Sequence, residues 1–135
     1  MSGKRMPQLV MDEVILLVDT YFQLQEISDT SIKNELIDEL SKNMKKLPFF
    51  PALRDDEAFR SPDGMRMCLA NVGYIDPYNP SKFGHGSALQ RRVFEYYYDK
   101  KRVLRKVATA IVLLAQEGIV IDPVFDDFIA GQIIA

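Results

Sequence analysis

Helical periodicity of apolar residues is the strongest constraint on the fold of this 135-residue chain. Four segments place apolar side chains three or four positions apart, which puts them on one face of an α-helix. These segments are residues 9–25, 31–45, 62–72 and 88–116. No segment alternates apolar and polar residues convincingly enough to require a β-strand. The pattern predicts an all-α fold, a compact bundle of four to six helices.

Capping residues set the predicted boundaries of the second and third helices. Thr30 or Ser31 can cap the second helix, because a hydroxyl oxygen can accept a hydrogen bond from the first helical N–H groups. Ser61 is a suitable N-cap for the third helix, and Pro62 at its first position loses no hydrogen bond. Gly73 is predicted to end this helix.

The last third of the chain is predicted to form one long helix. It begins after Ser87, which can act as its N-cap, and ends near Gln116, with Gly118 as a stop signal. Residues 119–135 are interpreted as a short C-terminal extension. Since no repeat or long linker divides the sequence, we expect residues 1–135 to form a single helical domain with its core at about residues 9–118.

The composition argues against several classes of protein. Cys68 is the only cysteine, so an intrachain disulfide or a thiolate zinc site is excluded. His85 is the only histidine, and no residues have the spacing of a catalytic triad or a metal centre. We therefore expect a non-enzymatic protein without a cofactor. The longest apolar run lies within residues 107–115, short of the roughly 20 residues of a membrane span, which predicts a cytoplasmic protein with no membrane partner.

Charge is distributed unevenly although the net charge is only −2. Residues 12–39 contain eight acidic residues and one basic residue, whereas residues 89–106 contain seven basic residues and two acidic ones. A basic helix face can bind phosphates, with an affinity that depends on salt. The same face can instead be solvated and partly paired with Glu95 and Asp99, which are within helical reach. The sequence leaves both interpretations open.

Tyrosines form a second candidate feature. Tyr96, Tyr97 and Tyr98 are consecutive, so their side chains point to different sides of a helix, and the spacing assigns Tyr97 to the core. Tyr96 and Tyr98, with Tyr74 and Tyr78, could line an aromatic pocket that stacks on a base. Packing within the core and the loops is the alternative.

Residues 59–77, FRSPDGMRMCLANVGYIDP, resemble the N-terminal domain of McrA-like, modification-dependent HNH restriction endonucleases. That domain has a stretch of the form FRNPNGVxMKLxNFxxIDP. The segment SALQRRVFEYYYDKKRVLRKVATAIV is similar to a later helix of the same family, and the likeness covers most of residues 12–115. Ser61 and Asp63 replace asparagines of the family pattern, and Cys68 replaces a lysine.

This resemblance implies a target-recognition module of a restriction system. The implied partners are double-stranded DNA, foreign or modified, and a nuclease domain or subunit. Residues 31–45 and 62–72 would form a helix-turn-helix-like pair with a lengthened connection, in which the second helix presents its first turn to the bases. Asn71 could read adenine or could cap the end of its own helix.

The predicted DNA-contacting residues lie on the third helix, just before it, and on the long fourth helix. Their basic members are expected to share one surface. The set comprises Arg60, Ser61, Asp63, Arg66, Met67, Asn71, Arg91, Arg102 and Lys106.

The alternative prediction is a protein-interaction or oligomerisation module. Its docking surface would be the acidic first helices or the apolar C-terminal tail, DDFIAGQIIA, at residues 126–135. An exposed apolar tail favours burial against another domain or a second copy, which would make a homodimer.

Overall fold

The structure, a computed structural model, describes residues 6–79 and 86–117. Within them the chain forms five α-helices and a short 3-10 helix, and no β-strand, which confirms the all-α prediction. The α-helices are α1 (Met11–Gln25), α2 (Thr30–Lys46), α3 (Pro62–Ile75), α4 (Ala88–Tyr97) and α5 (Lys101–Gln116), and the 3-10 helix is Pro51–Leu53. No helix in the described ranges is both long enough and apolar enough to cross a membrane.

Helix α1 is the centre of the bundle. Every residue from Asp12 to Phe22 is buried, so α1 is covered on all sides and not only along its apolar stripe. The four other α-helices all pack against it. A central helix with four neighbours explains how a chain of this size buries a continuous core.

The outer helices surround α1 in a closed order. α2 packs against α3, α3 against α4, α4 against α5, and α5 against α2. Among the described residues, α3 makes no contact with α5, and α2 makes none with α4. Helices α3 and α5 therefore lie on opposite sides of α1, which decides how their charged faces are related.

The predicted single long helix is wrong, because α4 ends at Tyr97 and α5 begins at Lys101. Lys100 leaves the helical region, with φ −132° and ψ 40°. Tyrosine is a weaker helix former than leucine or lysine, and the break allows Tyr98 to pack against the rings of Phe22 and Phe94. The sequence predicts an apolar seam along this helix, and most of the seam is buried on both sides of the break: Val93, Tyr97, Leu104, Ala108 and Ile111. Its last member, Ala115, is only partly buried.

The structure confirms some predicted caps and changes others. Ser61 caps α3 by accepting the N–H of Gly64 at 3.1 Å. The N-cap of α2 is Asp29 and neither predicted candidate, Thr30 or Ser31, because Asp29 Oδ1 accepts the N–H groups of Ser31 and Ile32 at 2.8 and 3.3 Å. A charged carboxylate before the first turn also suits the positive end of the helix dipole.

Gly73 does not end α3, which continues to Ile75. The absence of a side chain at Gly73 instead leaves space for the side-chain amide of Asn79, whose Nδ2 donates to the Gly73 carbonyl at 2.9 Å. A Cβ atom at position 73 would lie 2.6 Å from that nitrogen, which is too close. The helix ends two residues later, where the backbone N–H of Asp76 makes the last helical bond, to Val72.

Candidate nucleic-acid interface

Arg60 lies in the interior and forms an ion pair with Glu13. Its Nε donates to Glu13 Oε2 at 2.8 Å, and its Nη2 donates to Oε1 at 3.0 Å. The two side chains are only 5% and 1% exposed. Oε1 of Glu13 also accepts the N–H of Val10 at 3.0 Å. This bidentate pair connects the residue before the α3 cap to the first turn of α1.

Further partners complete the surroundings of Arg60. Its Nη1 donates to the carbonyl of Pro7 at 2.9 Å, and the guanidinium carbon lies 5.4 and 4.7 Å from the ring centroids of Phe50 and Phe59. The hydroxyl of Ser41, on α2, donates to the Arg60 carbonyl at 2.6 Å. The φ of Arg60 is 48°, in the left-handed region that side chains rarely adopt. The predicted contact between Arg60 and DNA is therefore wrong, because internal partners occupy the guanidinium.

The exposed side of α3 has little free positive charge. Arg66 Nη1 donates to Asp63 Oδ1 at 2.9 Å, and its Nη2 lies 3.4 Å from Asn34 Oδ1. The hydroxyl of Ser61 is used as the helix cap. Met67 is 60% exposed. Asp63, Arg66 and Met67 are thus accessible as predicted, but the acid and the arginine compensate each other.

Asn71 is half-buried in the body of α3. Since the helix ends at Ile75, Asn71 is too far from the C-terminus to cap it, and that interpretation is wrong. The backbone carbonyl oxygen of Asn71 lies close to Gly86: a Cβ atom added at position 86 would be 3.2 Å from it. Contact between Asn71 and a base stays a prediction.

A groove between α1 and α5 gathers the basic residues of α5. We call it the cationic groove. It is lined by Lys101, Arg102, Arg105 and Lys106 from α5 and by Asp19, Phe22, Gln23 and Glu26 from α1. Arg102 and Lys106 are exposed, and neither side chain forms an ion pair or hydrogen bond with any residue in the described ranges. The predicted contacts at these two positions therefore lie on accessible surface.

Arg105 has a different role from its neighbours. Its Nη1 donates to Asp19 Oδ2 at 2.8 Å, and the same oxygen accepts Nε2 of Gln23 at 3.0 Å. Burial raises the pKa of the Asp19 carboxyl above its usual range, although Arg105 and Gln23 act in the opposite direction. One basic residue of α5 is thus partly neutralised by α1.

Lys101 is a groove residue that the sequence pattern does not single out. Its Nζ lies 4.8 Å from the ring centroid of Phe22 and 4.7 Å from that of Tyr98, within range of cation–π attraction. In the sequence, only its place in the basic run Lys100–Arg102 indicated a role for Lys101. The break between α4 and α5 places its ammonium group over the rings of Phe22 and Tyr98.

The basic residues predicted to share one surface do not do so. Arg66 lies on α3, whereas Arg102 and Lys106 lie on α5, across the central helix. Arg91 is exposed on α4, which packs against both α3 and α5. The predicted joint surface of the third helix and the basic helix is therefore wrong, and the α5 side holds the larger positive cluster.

The acidic half of the chain is less exposed than its sequence indicates. Asp12, Glu13 and Asp19 are buried in α1. The exposed acidic residues of this half lie on α2 and before it: Glu26, Asp29, Glu35, Asp38 and Glu39. An acidic docking surface for a partner would therefore involve α2. The apolar tail at residues 126–135 lies outside the described residues.

No cluster of three or more histidine, cysteine, aspartate or glutamate side chains suited to a metal occurs in the described part of the chain. Cys68 is half-buried beside the core, and burial raises the pKa of its thiol. His85 lies outside the described residues.

The fold and the groove define an all-helical protein with a local basic surface. No family model, curated protein or solved structure matches this chain.

Proposed function

We propose that the protein is a non-catalytic DNA-binding module that holds phosphates in the cationic groove. The observation that carries the proposal is the pair Arg102 and Lys106, exposed on one face of α5 and without an internal partner among the described residues. Their Cα positions are one turn apart, about 6 Å along the helix axis. Two such side chains can neutralise neighbouring phosphates and release their counterions.

The net charge of −2 does not oppose this function, because the charge is segregated. The groove holds four basic residues and two acidic ones, and one of the acids, Asp19, is buried beneath Arg105. Local potential at a groove, more than the total charge, attracts a polyanion.

The resemblance to restriction endonucleases supports a role in recognising foreign or modified DNA within a defence system. Its most characteristic residues nevertheless include structural ones, since Phe59 and Arg60 are buried. We therefore propose that the motif maintains the fold of the module, while α5 supplies the phosphate contacts. A nuclease domain or subunit would provide catalysis.

Fluorescence anisotropy with a labelled duplex, unmodified and modified, over a range of salt concentrations tests this function. The double variant Arg102→Ala, Lys106→Ala should bind roughly tenfold more weakly at low salt and should reduce the slope of log K against log salt by about 2. The matched control is Lys42→Ala, Lys46→Ala, which removes the same charge from exposed positions of α2. Absence of wild-type binding to every duplex, or equal losses in both double variants, would contradict the proposal.

A second candidate function is assembly with a protein partner. A second groove, lined by α1, α2 and α5, shares Asp19, Gln23 and Arg105 with the cationic groove. Its lining also includes Leu36, Val112 and Leu113, and Leu113 is 54% exposed. The exposed Leu113 side chain, with Leu36 and Val112 in the same groove, offers an apolar contact to another helix. Light scattering tests it: a wild-type dimer that becomes monomeric on Leu113→Asp supports a homodimer through this groove, and an unchanged mass argues against it.

A further inference from the structure

Two exposed tyrosines lie next to each other: Tyr98 directly follows α4, and Tyr78 is in the turn after α3. Tyr78 is 77% exposed and Tyr98 is 38% exposed. Their centroids are 6.1 Å apart and their planes differ by 24°, so the rings are stacked. We call this pair the tyrosine platform. An aromatic pair open to solvent offers a π-face to a ligand.

The platform is fixed to the core from below. Tyr98 packs against Phe94 and Phe22, with centroid distances of 5.5 and 6.2 Å. The backbone N–H of Tyr78 donates to Asp76 Oδ1 at 2.9 Å, and Asp76 Oδ2 accepts the buried hydroxyl of Tyr21 at 2.7 Å. Asp76 thus connects the backbone of the turn that carries Tyr78 to the central helix, while core packing holds the ring of Tyr98.

Lys101 makes the platform continuous with the cationic groove. Its ammonium lies 4.7 Å from the Tyr98 ring centroid, and the same residue lines the groove beside Arg102 and Lys106. An aromatic surface and a row of basic side chains therefore share one side of the molecule. This combination is characteristic of proteins that bind unpaired nucleotides, in which bases stack on aromatic rings while basic residues follow the backbone.

We propose that the tyrosine platform stacks on an unpaired nucleobase while Arg102 and Lys106 hold the adjoining phosphates. The ligand class is a single strand, or a duplex in which a base has left the helix. This inference rests on the proposed function and deepens it. A base inside an intact duplex cannot use the platform, because both of its faces are already stacked.

The base stacks on the outer face of Tyr78. Tyr78 is 77% exposed, whereas Tyr98 is 38% exposed and already packs against Phe22, Phe94 and Lys101. Tyr78 therefore makes the direct contact, and Tyr98 supports it. The ring is required for this role, and the hydroxyl is not.

The test compares three labelled ligands of equal length: oligo(dT), an abasic strand and a fully paired duplex. The variants are Tyr78→Leu, which keeps an apolar side chain without a π-face, and Tyr78→Phe, which keeps the ring. Tyr78→Leu should weaken oligo(dT) binding by about 5- to 150-fold, the range for loss of one stacked base, and should leave the other two ligands within about twofold. Tyr78→Phe should bind all three like the wild type.

The outcomes separate the platform from the groove. If Tyr78→Leu binds oligo(dT) like the wild type, or if Tyr78→Phe is as weak as Tyr78→Leu, the platform does not stack on bases. A wild-type protein that binds oligo(dT) no better than the abasic strand overturns the inference while leaving phosphate binding intact. A wild-type protein that binds none of the ligands overturns both proposals. Circular dichroism of each variant checks that the fold is retained.

Discussion

The segment of residues 59–77 and the first half of α5 use their basic side chains in opposite ways. In the first region Arg60 is buried against Glu13, and Arg66 is paired with Asp63. In the second region Arg102 and Lys106 are exposed beside a groove and have no ion-pair partner among the described residues. The region with the more distinctive sequence motif holds the fold together, and the region with a plain run of charges is available for a ligand.

Burial explains this difference. A charge removed from water is tolerated only when its partners replace the lost hydration, and Arg60 has a bidentate carboxylate, a carbonyl and two aromatic rings. Only an arginine at position 60 can satisfy all of these partners at once. A solvated phosphate-binding face needs only net positive charge at helical spacing, and many sequences provide that.

Loss of the buried ion pair should have the largest effect. Arg60→Ala leaves the Glu13 carboxylate buried without its main partner, so we expect about 3–5 kcal/mol less stability. Urea unfolding followed by circular dichroism measures this loss. Binding of DNA by the folded fraction should remain, because Arg60 is not on the surface. A loss below about 1 kcal/mol, typical of an exposed pair, would show that the pair is not structural.

Removal of the hydroxyl that supports Arg60 should have an intermediate effect. Ser41→Ala deprives the Arg60 carbonyl of its 2.6 Å donor in the interior, which should cost about 1–3 kcal/mol. Thermal unfolding checks the value. The control is Ser31→Ala on the same helix. The Ser31 side chain is exposed, so the free energy of unfolding of this variant should stay within about 0.5 kcal/mol of the wild-type value. Equal effects in the two variants would contradict the role assigned to Ser41.

Asp19 provides a pH-dependent test of the groove. Because burial raises its folded-state pKa, the folded protein binds the Asp19 proton more tightly than the unfolded chain does. This contribution to stability is fully present below the unfolded pKa of about 3.9 and is lost as the pH rises through the folded pKa. We expect Asp19→Asn to melt at a higher temperature than the wild type at neutral pH, with the difference shrinking toward about pH 4.

The same variant removes a negative charge from the cationic groove, so duplex affinity should rise. Glu26→Gln makes an equal change of charge at an exposed position of the groove. That control should raise affinity without the pH-dependent gain in melting temperature. If neither variant binds duplex more tightly, the groove is not the phosphate site.

Loss of the exposed pair on α3 should have the smallest effect. Arg66→Ala breaks a solvent-exposed contact with Asp63, so unfolding should change by less than about 1 kcal/mol. Duplex binding should be unchanged, since Arg66 lies across α1 from the cationic groove. Anisotropy titration measures this. If Arg66→Ala lowered duplex affinity as much as the Arg102→Ala, Lys106→Ala variant does, α3 would have to be part of the DNA-binding surface.

Individual residues show how far the sequence could predict the candidate site. Arg102 and Lys106 were predicted and are exposed, because their positions follow from helical spacing within one element. Arg60 was placed on the wrong side because its partner, Glu13, is 47 positions away. Lys101 was missed since its role depends on the break at Lys100 and on Phe22, which belongs to a different helix.

The sequence alone determined the all-helical class, the apolar stripes and the cap at Ser61, because these depend on residues within one or two turns of each other. Only the tertiary structure decided which charges are internal and which are free. The Arg105–Asp19 bond joins residues 86 positions apart, and the closed order of helices puts α3 and α5 on opposite sides of α1. Burial and pairing depend on neighbours in space, and local periodicity carries no information about them.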